Sequence, residues 1–167
     1  DSSSGVLTFT SSPNFEVPTD SDANNSYVVQ VQVSDGTNTD TQTITVSILD
    51  VNEFTPVITS DVGGSTASIS NYAENSTSAV TTVTSTDGDG SSTATYTIIG
   101  GLDESDFTLG SGSGVLTFTS TPNFDIPHDS DTNNIYVVQV QVSDGTYLDS
   151  QTITVTITDV NEFDPVI

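Results

Sequence analysis

The chain repeats itself at a fixed offset, and a fixed repeat admits only architectures whose units can be placed one after another. Gly5-Val6-Leu7-Thr8-Phe9-Thr10 returns as Gly114-Val115-Leu116-Thr117-Phe118-Thr119, and Pro13-Asn14-Phe15 as Pro122-Asn123-Phe124. Val28 to Gly36 returns as Val137 to Gly145, and Asp50-Val51-Asn52-Glu53-Phe54 as Asp159-Val160-Asn161-Glu162-Phe163. Each pair stands 109 positions apart, so residues 1–58 match 110–167 without a gap. The 167 residues therefore read as the C-terminal half of one repeat, 1–58, followed by one complete repeat, 59–167. A chain that opens Asp1-Ser2-Ser3 with no leader also reads as an excised or processed piece.

Within the repeat the apolar residues keep strand spacing. Tyr27, Val29, Val31 and Val33 alternate with Val28, Gln30, Gln32 and Ser34, and Ile44, Val46 and Ile48 alternate with Thr45 and Ser47. β-Branched side chains suit a pleated, half-buried surface, and a period of two places them on one face. Asp/Asn/Gly clusters such as Ser34-Asp35-Gly36-Thr37-Asn38 separate the runs. In the complete repeat strands are expected at 57–60 with 66–70, then 79–86, 93–99, 105–109, 114–119, 135–143 and 150–158. That pattern predicts an all-β fold, an antiparallel Greek-key β-sandwich in tandem repeats. Residues 1–58 would supply only the last three strands. Their apolar face would then need cover, from further sequence or from strands exchanged with a neighbouring copy.

Charge excludes several functions. Lys+Arg is 0 against 23 Asp+Glu, a formal net charge of -23. No basic side chain exists to meet a phosphate, which excludes nucleic acid and disfavours an anionic membrane surface. No run approaches the ~20 apolar residues of a membrane-spanning helix, so no membrane insertion is expected. With Cys 0 there are no disulfides, thiolate metal sites or thiol nucleophiles. A charge of one sign calls for neutralisation by divalent cations, or for screening by high salt.

One repeated acidic stretch is the most telling. Asp50-Val51-Asn52-Glu53-Phe54-Thr55-Pro56 and Asp159-Val160-Asn161-Glu162-Phe163-Asp164-Pro165 each follow a strand, offer two carboxylates and an amide within their first four residues, and close with proline. Oxygens so crowded repel unless a hard cation lies between them, and proline ends the strand. The stretch reads as a metal-binding linker between β-domains. Asp87-Gly88-Asp89-Gly90 has the opening of an EF-hand loop, but its twelfth position is Ile98 rather than Glu and no helical pattern flanks it.

Taken in order, these motifs resemble a cadherin-type repeat of the bacterial kind found in large surface proteins. Tyr72-Ala73-Glu74-Asn75 is similar to the family's early Pro-Glu-Asn element, and Thr86-Asp87-Gly88-Asp89 to its Asp-x-Asp element. Asn123-Phe124-Asp125 and Asn14-Phe15-Glu16 stand where the family has Leu-Asp-Arg-Glu. Ser143-Asp144-Gly145 is similar to Ala-x-Asp-x-Gly, and Asp159-Val160-Asn161-Glu162 to the Asp-x-Asn-Asp linker. The departures, among them Asn14, Asn123, Glu53, Glu162 and Asp125, all keep oxygen donors.

The resemblance implies calcium at the junctions, with ligands from the bottom of one domain, the linker and the top of the next. Carried over, one junction would use Glu16, Asp50, Asn52 and Glu53 with Asp87, Asp89 and Asp144. A second would use Glu74, Asp125, Asp159, Asn161 and Glu162, and Asp35 would face a junction before the chain. Irregular sets of hard oxygens suit calcium, whereas zinc would want more than the single His128.

Catalysis is not expected. His128 occupies a position that is Thr19 in the other copy, so the repeats share no general base. Trp 0 and a sandwich without an aromatic cleft argue against a glycosidase. Asn24-Asn25-Ser26 and Asn75-Ser76-Thr77 match the N-glycosylation pattern, as chance would provide in so Asn- and Ser/Thr-rich a chain. The expected function is a structural module of a secreted, calcium-rigidified surface adhesin or extracellular filament, whose partners are adjacent repeats of the same protein. The alternative is a carbohydrate- or receptor-binding module of a large extracellular protein, with Tyr147 as one contact.

Overall fold

A computed structural model describes residues 4–90 and 93–166, and its regular elements are β-strands apart from one turn of 3-10 helix, Glu104–Asp106. No helix among the described residues is long and apolar enough to cross a membrane. The chain forms two units, Asp1–Asn52 and Glu53–Ile167.

The first unit holds a hairpin of β1 (Ser26–Ser34) and β2 (Thr39–Ser47), paired antiparallel from Ser26↔Ser47 to Ser34↔Thr39. Its turn is stapled by Asp35, whose Oδ1 accepts the backbone N–H groups of Thr37 (2.8 Å) and Asn38 (2.7 Å). Gly36 takes φ +95°, a value glycine reaches without steric cost.

The second unit contains β3 (Val57–Ile58), β4 (Thr66–Ala73), β5 (Thr81–Thr82), β6 (Ser85–Thr86), β7 (Thr95–Gly100), β8 (Phe107–Leu109), β9 (Val115–Phe118), β10 (Ile135–Ser143) and β11 (Leu148–Thr158). One sheet runs β4-β11-β10-β7, and the ladders β5-β9-β8 and β3-β6 supply the other layer. The alternation does as its period requires. Tyr136, Val138, Val140 and Val142 of β10 and Ile153, Val155 and Ile157 of β11 are buried, in one cluster with Leu116, Phe107, Ile58 and Val83. Each such burial contributes roughly 1.5–3 kcal/mol. The fold is a β-sandwich.

Two details differ from a plain antiparallel reading. β4 pairs parallel to β11, which the long intervening chain between them allows. The expected strand 79–86 is one extended segment that changes partner: β5 pairs with β9, and β6 with β3. Between them, Val83 N–H donates to Gly114 O (2.8 Å) and Thr84 O accepts from Thr59 N–H (2.8 Å).

A third difference is more instructive. Val115–Phe118 is a strand between β5 and β8, whereas its near-identical twin Val6–Phe9 is not a strand. Among the described residues the first unit has no counterpart of β5 or β8. Propensity is equal in the two copies, so the ladder partner decides.

The repeat also supplies an internal control for backbone strain. Gly114 (φ +68°) packs so that a Cβ would stand 2.0 Å from Val83 O, whereas Gly5 (φ +70°) has nothing within 4 Å. Gly114→Ala is expected to cost the second unit about 2–4 kcal/mol in chemical unfolding. Gly5→Ala is expected to cost only about 1–2 kcal/mol, for the left-handed conformation. Equal effects would show that backbone conformation alone sets the cost.

Candidate metal centres

The first acidic centre is built where β4 and β11 end together. Glu74 N–H donates to Thr158 O (3.1 Å), tying the turn after β4 to the last residue of β11. The Glu74 side chain is buried, with Oε1 accepting Val160 N–H and Oε2 accepting Phe124 N–H, each at 2.8 Å. One carboxylate thus holds the segment after β11 and the loop before β10 at fixed positions. In that loop Asn123 Oδ1 accepts Ile126 N–H (2.7 Å), closing a turn that contains Asp125. Oxygens of Glu74, Asp125, Asp159 and Glu162 consequently lie within 4.8 Å of one another. Asn161 lies exposed on the same segment.

Electrostatics register the crowding. The N–H groups of Val160 and Phe124 hold Glu74 below the usual glutamate range. Asp159 is pushed up by desolvation, then by the charges of Asp125 and Glu74. Glu162 is pushed up by desolvation and then by Glu74, Asp125 and Asp159. No Lys or Arg exists in the chain to relieve them.

The second centre lies where β6 ends and where β10 turns into β11. Asp89 is buried, and its carboxylate accepts Glu53 N–H (3.3 Å) and Phe54 N–H (3.1 Å), anchoring the start of the unit. Asp87 Oδ1 accepts Asp89 N–H (3.0 Å), while Asp87 Oδ2 is buried with no hydrogen-bond partner. Asp144 Oδ1 accepts the N–H groups of Thr146 and Tyr147, both at 2.7 Å, as its twin Asp35 does in β1–β2. Oxygens of Asp87, Asp89 and Asp144 lie within 4.8 Å of one another. Between the two acids, Gly88 lies under the Phe54 ring, where a Cβ would come within 2.5 Å of ring atoms.

The remaining candidates are placed as follows. Glu16, Asp50 and Asn52 are half-buried in the first unit, and Glu53 is exposed at the head of the second. Asn14 Oδ1 accepts Val17 N–H (2.7 Å), so Glu16 sits in the same kind of turn as Asp125. Asp35 is exposed and belongs to no acidic cluster among the described residues.

Other acids, unremarkable in sequence, are structural. Asp103 is buried and accepts Ser130 N–H (2.7 Å), Ser130 Oγ–H (2.9 Å) and Val137 N–H (2.8 Å). Asp129 accepts Asn133 N–H (2.6 Å) and Asn134 N–H (3.2 Å), and Asp149 accepts Ile58 N–H (2.8 Å). Asp129 and Asp149 carried a sequence signal through their acidic twins Asp20 and Asp40, and Asp20 likewise accepts Asn24 N–H (2.9 Å).

No family model matches the chain, and no curated protein matches its sequence. Solved structures do match. Protocadherin gamma B2 extracellular cadherin domains 3–6 align at 18% identity and TM-score 0.69, covering 86% of this chain and 36% of that one. The protocadherin gamma B4 extracellular domain aligns at 21% identity and TM-score 0.62, covering 87% and 22%. Mouse cadherin-23 EC22–24 aligns at 17% identity and TM-score 0.58, covering 82% and 43%. The chain thus spans less than half the length of each of these structures. At such identities the likeness establishes the fold, which is cadherin-like.

The geometry separates anchoring acids from merely crowded ones. In metal-free solution Asp89→Ala is expected to destabilise the second unit by about 1–3 kcal/mol, because two backbone donors lose their acceptor. Asp87→Asn is expected to leave stability unchanged or raise it, since it removes one charge from a cluster with no counter-ion. Equal losses in denaturant melts would make Asp87 a structural cap instead.

Proposed function

We propose that the chain is a structural module of a secreted, calcium-rigidified surface adhesin or extracellular filament, with calcium held at the linkers between repeats. The observation that carries this reading is the convergence of Glu74, Asp125, Asp159 and Glu162 from three separate segments in a chain with no Lys or Arg. Such a cluster has no internal counter-charge, and its donors are all hard oxygens. The fit is to calcium, which takes 6–8 oxygens at about 2.3–2.6 Å in irregular geometry. The buried, unpartnered Asp87 Oδ2 supports a cation at the second centre as well.

The internal repeat extends the assignment. Glu16, Asp50, Asn52 and Glu53 are the twins of Asp125, Asp159, Asn161 and Glu162, so the same role is assigned to them, at a junction completed by Asp87, Asp89 and Asp144. Asp35, the twin of Asp144, is assigned to a further junction. Bound calcium would supply the positive charge that these carboxylates lack. The protein's own residues do the remainder: Glu74 and Asp89 hold the ligand-bearing segments in place, and Pro56 and Pro165 stiffen the chain beyond each linker. Adjacent repeats are thereby the partners, the location is extracellular at a cell surface, and the role is mechanical rather than catalytic.

Thermal unfolding of the whole chain in EDTA and across a calcium titration tests this reading, with magnesium and sodium chloride as controls. A calcium-specific rise in melting temperature is expected, corresponding to about 2.7 kcal/mol once calcium reaches a hundredfold excess over Kd. Asp159→Asn should shift the titration to higher calcium, and the spread of distances between probes on β2 and β11 should narrow on calcium addition. An equal rise in sodium chloride would reduce the acids to screened surface charge and overturn the proposal.

A further inference from the structure

The second centre contains a contact that its acids alone do not account for. The Phe54 ring lies on Gly88, where a Cβ would come within 2.5 Å of ring atoms. Gly88 is not among the residues at positive φ, so its backbone does not call for glycine. What excludes a side chain at position 88 is the ring. The same aromatic residue is tied to the turn through its backbone. Phe54 N–H donates to Asp89 Oδ2 (3.1 Å), and Glu53 N–H donates to Asp89 Oδ1 (3.3 Å). On the other side of the glycine, Asp87 Oδ1 accepts Asp89 N–H (3.0 Å), and Asp87 Oδ2 is buried without a partner. Glu53-Phe54 thus grips Asp87-Gly88-Asp89 twice, by hydrogen bonds to one acid and by packing on the glycine between the two. Phe54 is 42% exposed and lies outside the core cluster, so its ring can swing off Gly88 without opening the sandwich.

We propose that Phe54 is the positioning residue of this centre: its ring, seated on Gly88, fixes the turn that carries Asp87 and Asp89 and thereby sets the affinity of the centre for its cation. Like charges on Asp87 and Asp89 repel, and a turn free to relax would let them part. Glycine is the residue least able to resist, since it has no side chain to restrict its backbone. The ring supplies that resistance from outside. It keeps the carboxylates of Asp87 and Asp89 converged with that of Asp144, all three within 4.8 Å of one another. Phe54 offers no ligand atom of its own, so it acts through the acids, as an outer partner of a metal site does. The role toward the metal rests on the calcium reading above, whereas the hold on the turn does not.

The test is read by amide NMR on the intact chain, with the Asp89 N–H reporting the second centre and the Val160 N–H the first. In EDTA, Phe54→Ala is expected to speed hydrogen exchange at positions 53 and 54 about tenfold, with β10 and β11 exchanging as before. In a calcium titration the same variant is expected to raise the midpoint at Asp89 about tenfold and to leave the midpoint at Val160 in place. Gly88→Ala, which ejects the ring, should reproduce both effects, and the double variant should add nothing to either single one. Phe54→Tyr keeps the ring and should keep the native midpoint. Faster exchange with an unmoved midpoint at Asp89 reduces Phe54 to packing and overturns the proposal, as does unchanged exchange in EDTA. A native chain in which neither signal responds to calcium overturns the calcium reading, and the role of Phe54 toward the metal with it.

Discussion

An alternating strand pair has one apolar face, and that face is stable only under cover. In the second unit the cover is complete: β10 and β11 present Tyr136, Val138, Val140, Val142, Ile153 and Val155, and the other layer closes on them. In the first unit the same side chains stand open or half-open. The hairpin register is unchanged, with Val31↔Gln42 matching Val140↔Gln151. Hairpin pairing is therefore a local property of the sequence, carried by the turn at Asp35 or Asp144. The strand state of the Gly-Val-Leu-Thr-Phe-Thr segment is not local, since it exists only between β5 and β8.

Charge imposes the second constraint. Every acid in this chain must find water, an N–H group or a cation, because only His128 can bear a positive side-chain charge. The structure divides the acids accordingly. Asp103, Asp129 and Asp149 receive backbone N–H groups and act as fixed acceptors within loops and strand starts. Asp125, Asp159 and Glu162 are exposed and gathered, and the last two are pushed upward in pKa. Glu74 and Asp89 belong to both groups, which is why each lies at the centre of its cluster.

The fold class was legible because period two over nine residues is a strong signal and survives in both copies. The expected strands at 135–143 and 150–158 lie close to Ile135–Ser143 and Leu148–Thr158. Weaker was the expected strand at 79–86, whose two short ladders depend on partners far away in sequence. The parallel pairing of β4 could not be read, since no periodicity distinguishes a parallel neighbour from an antiparallel one. Among the acids, motif order suggested Glu74 with Asp125, Asp159 and Glu162, and geometry places them together. Asp103 was invisible: its three donors, on Ser130 and Val137, come from far along the chain, and no twin exists within these residues to flag it.

The two centres share a logic that explains why crowded acids do not prevent folding. Backbone N–H groups act on Glu74 and Asp89 from fixed positions. For Glu74 they win, since the N–H groups of Val160 and Phe124 lower its pKa despite burial. Asp159 has no such compensation and Glu162 has only its own backbone N–H, so desolvation and the neighbouring charges push both upward in the folded chain. The cluster is thus assembled by hydrogen bonds that need no ion, while its residual repulsion falls on the exposed members. A cation placed among them would relieve only that second term.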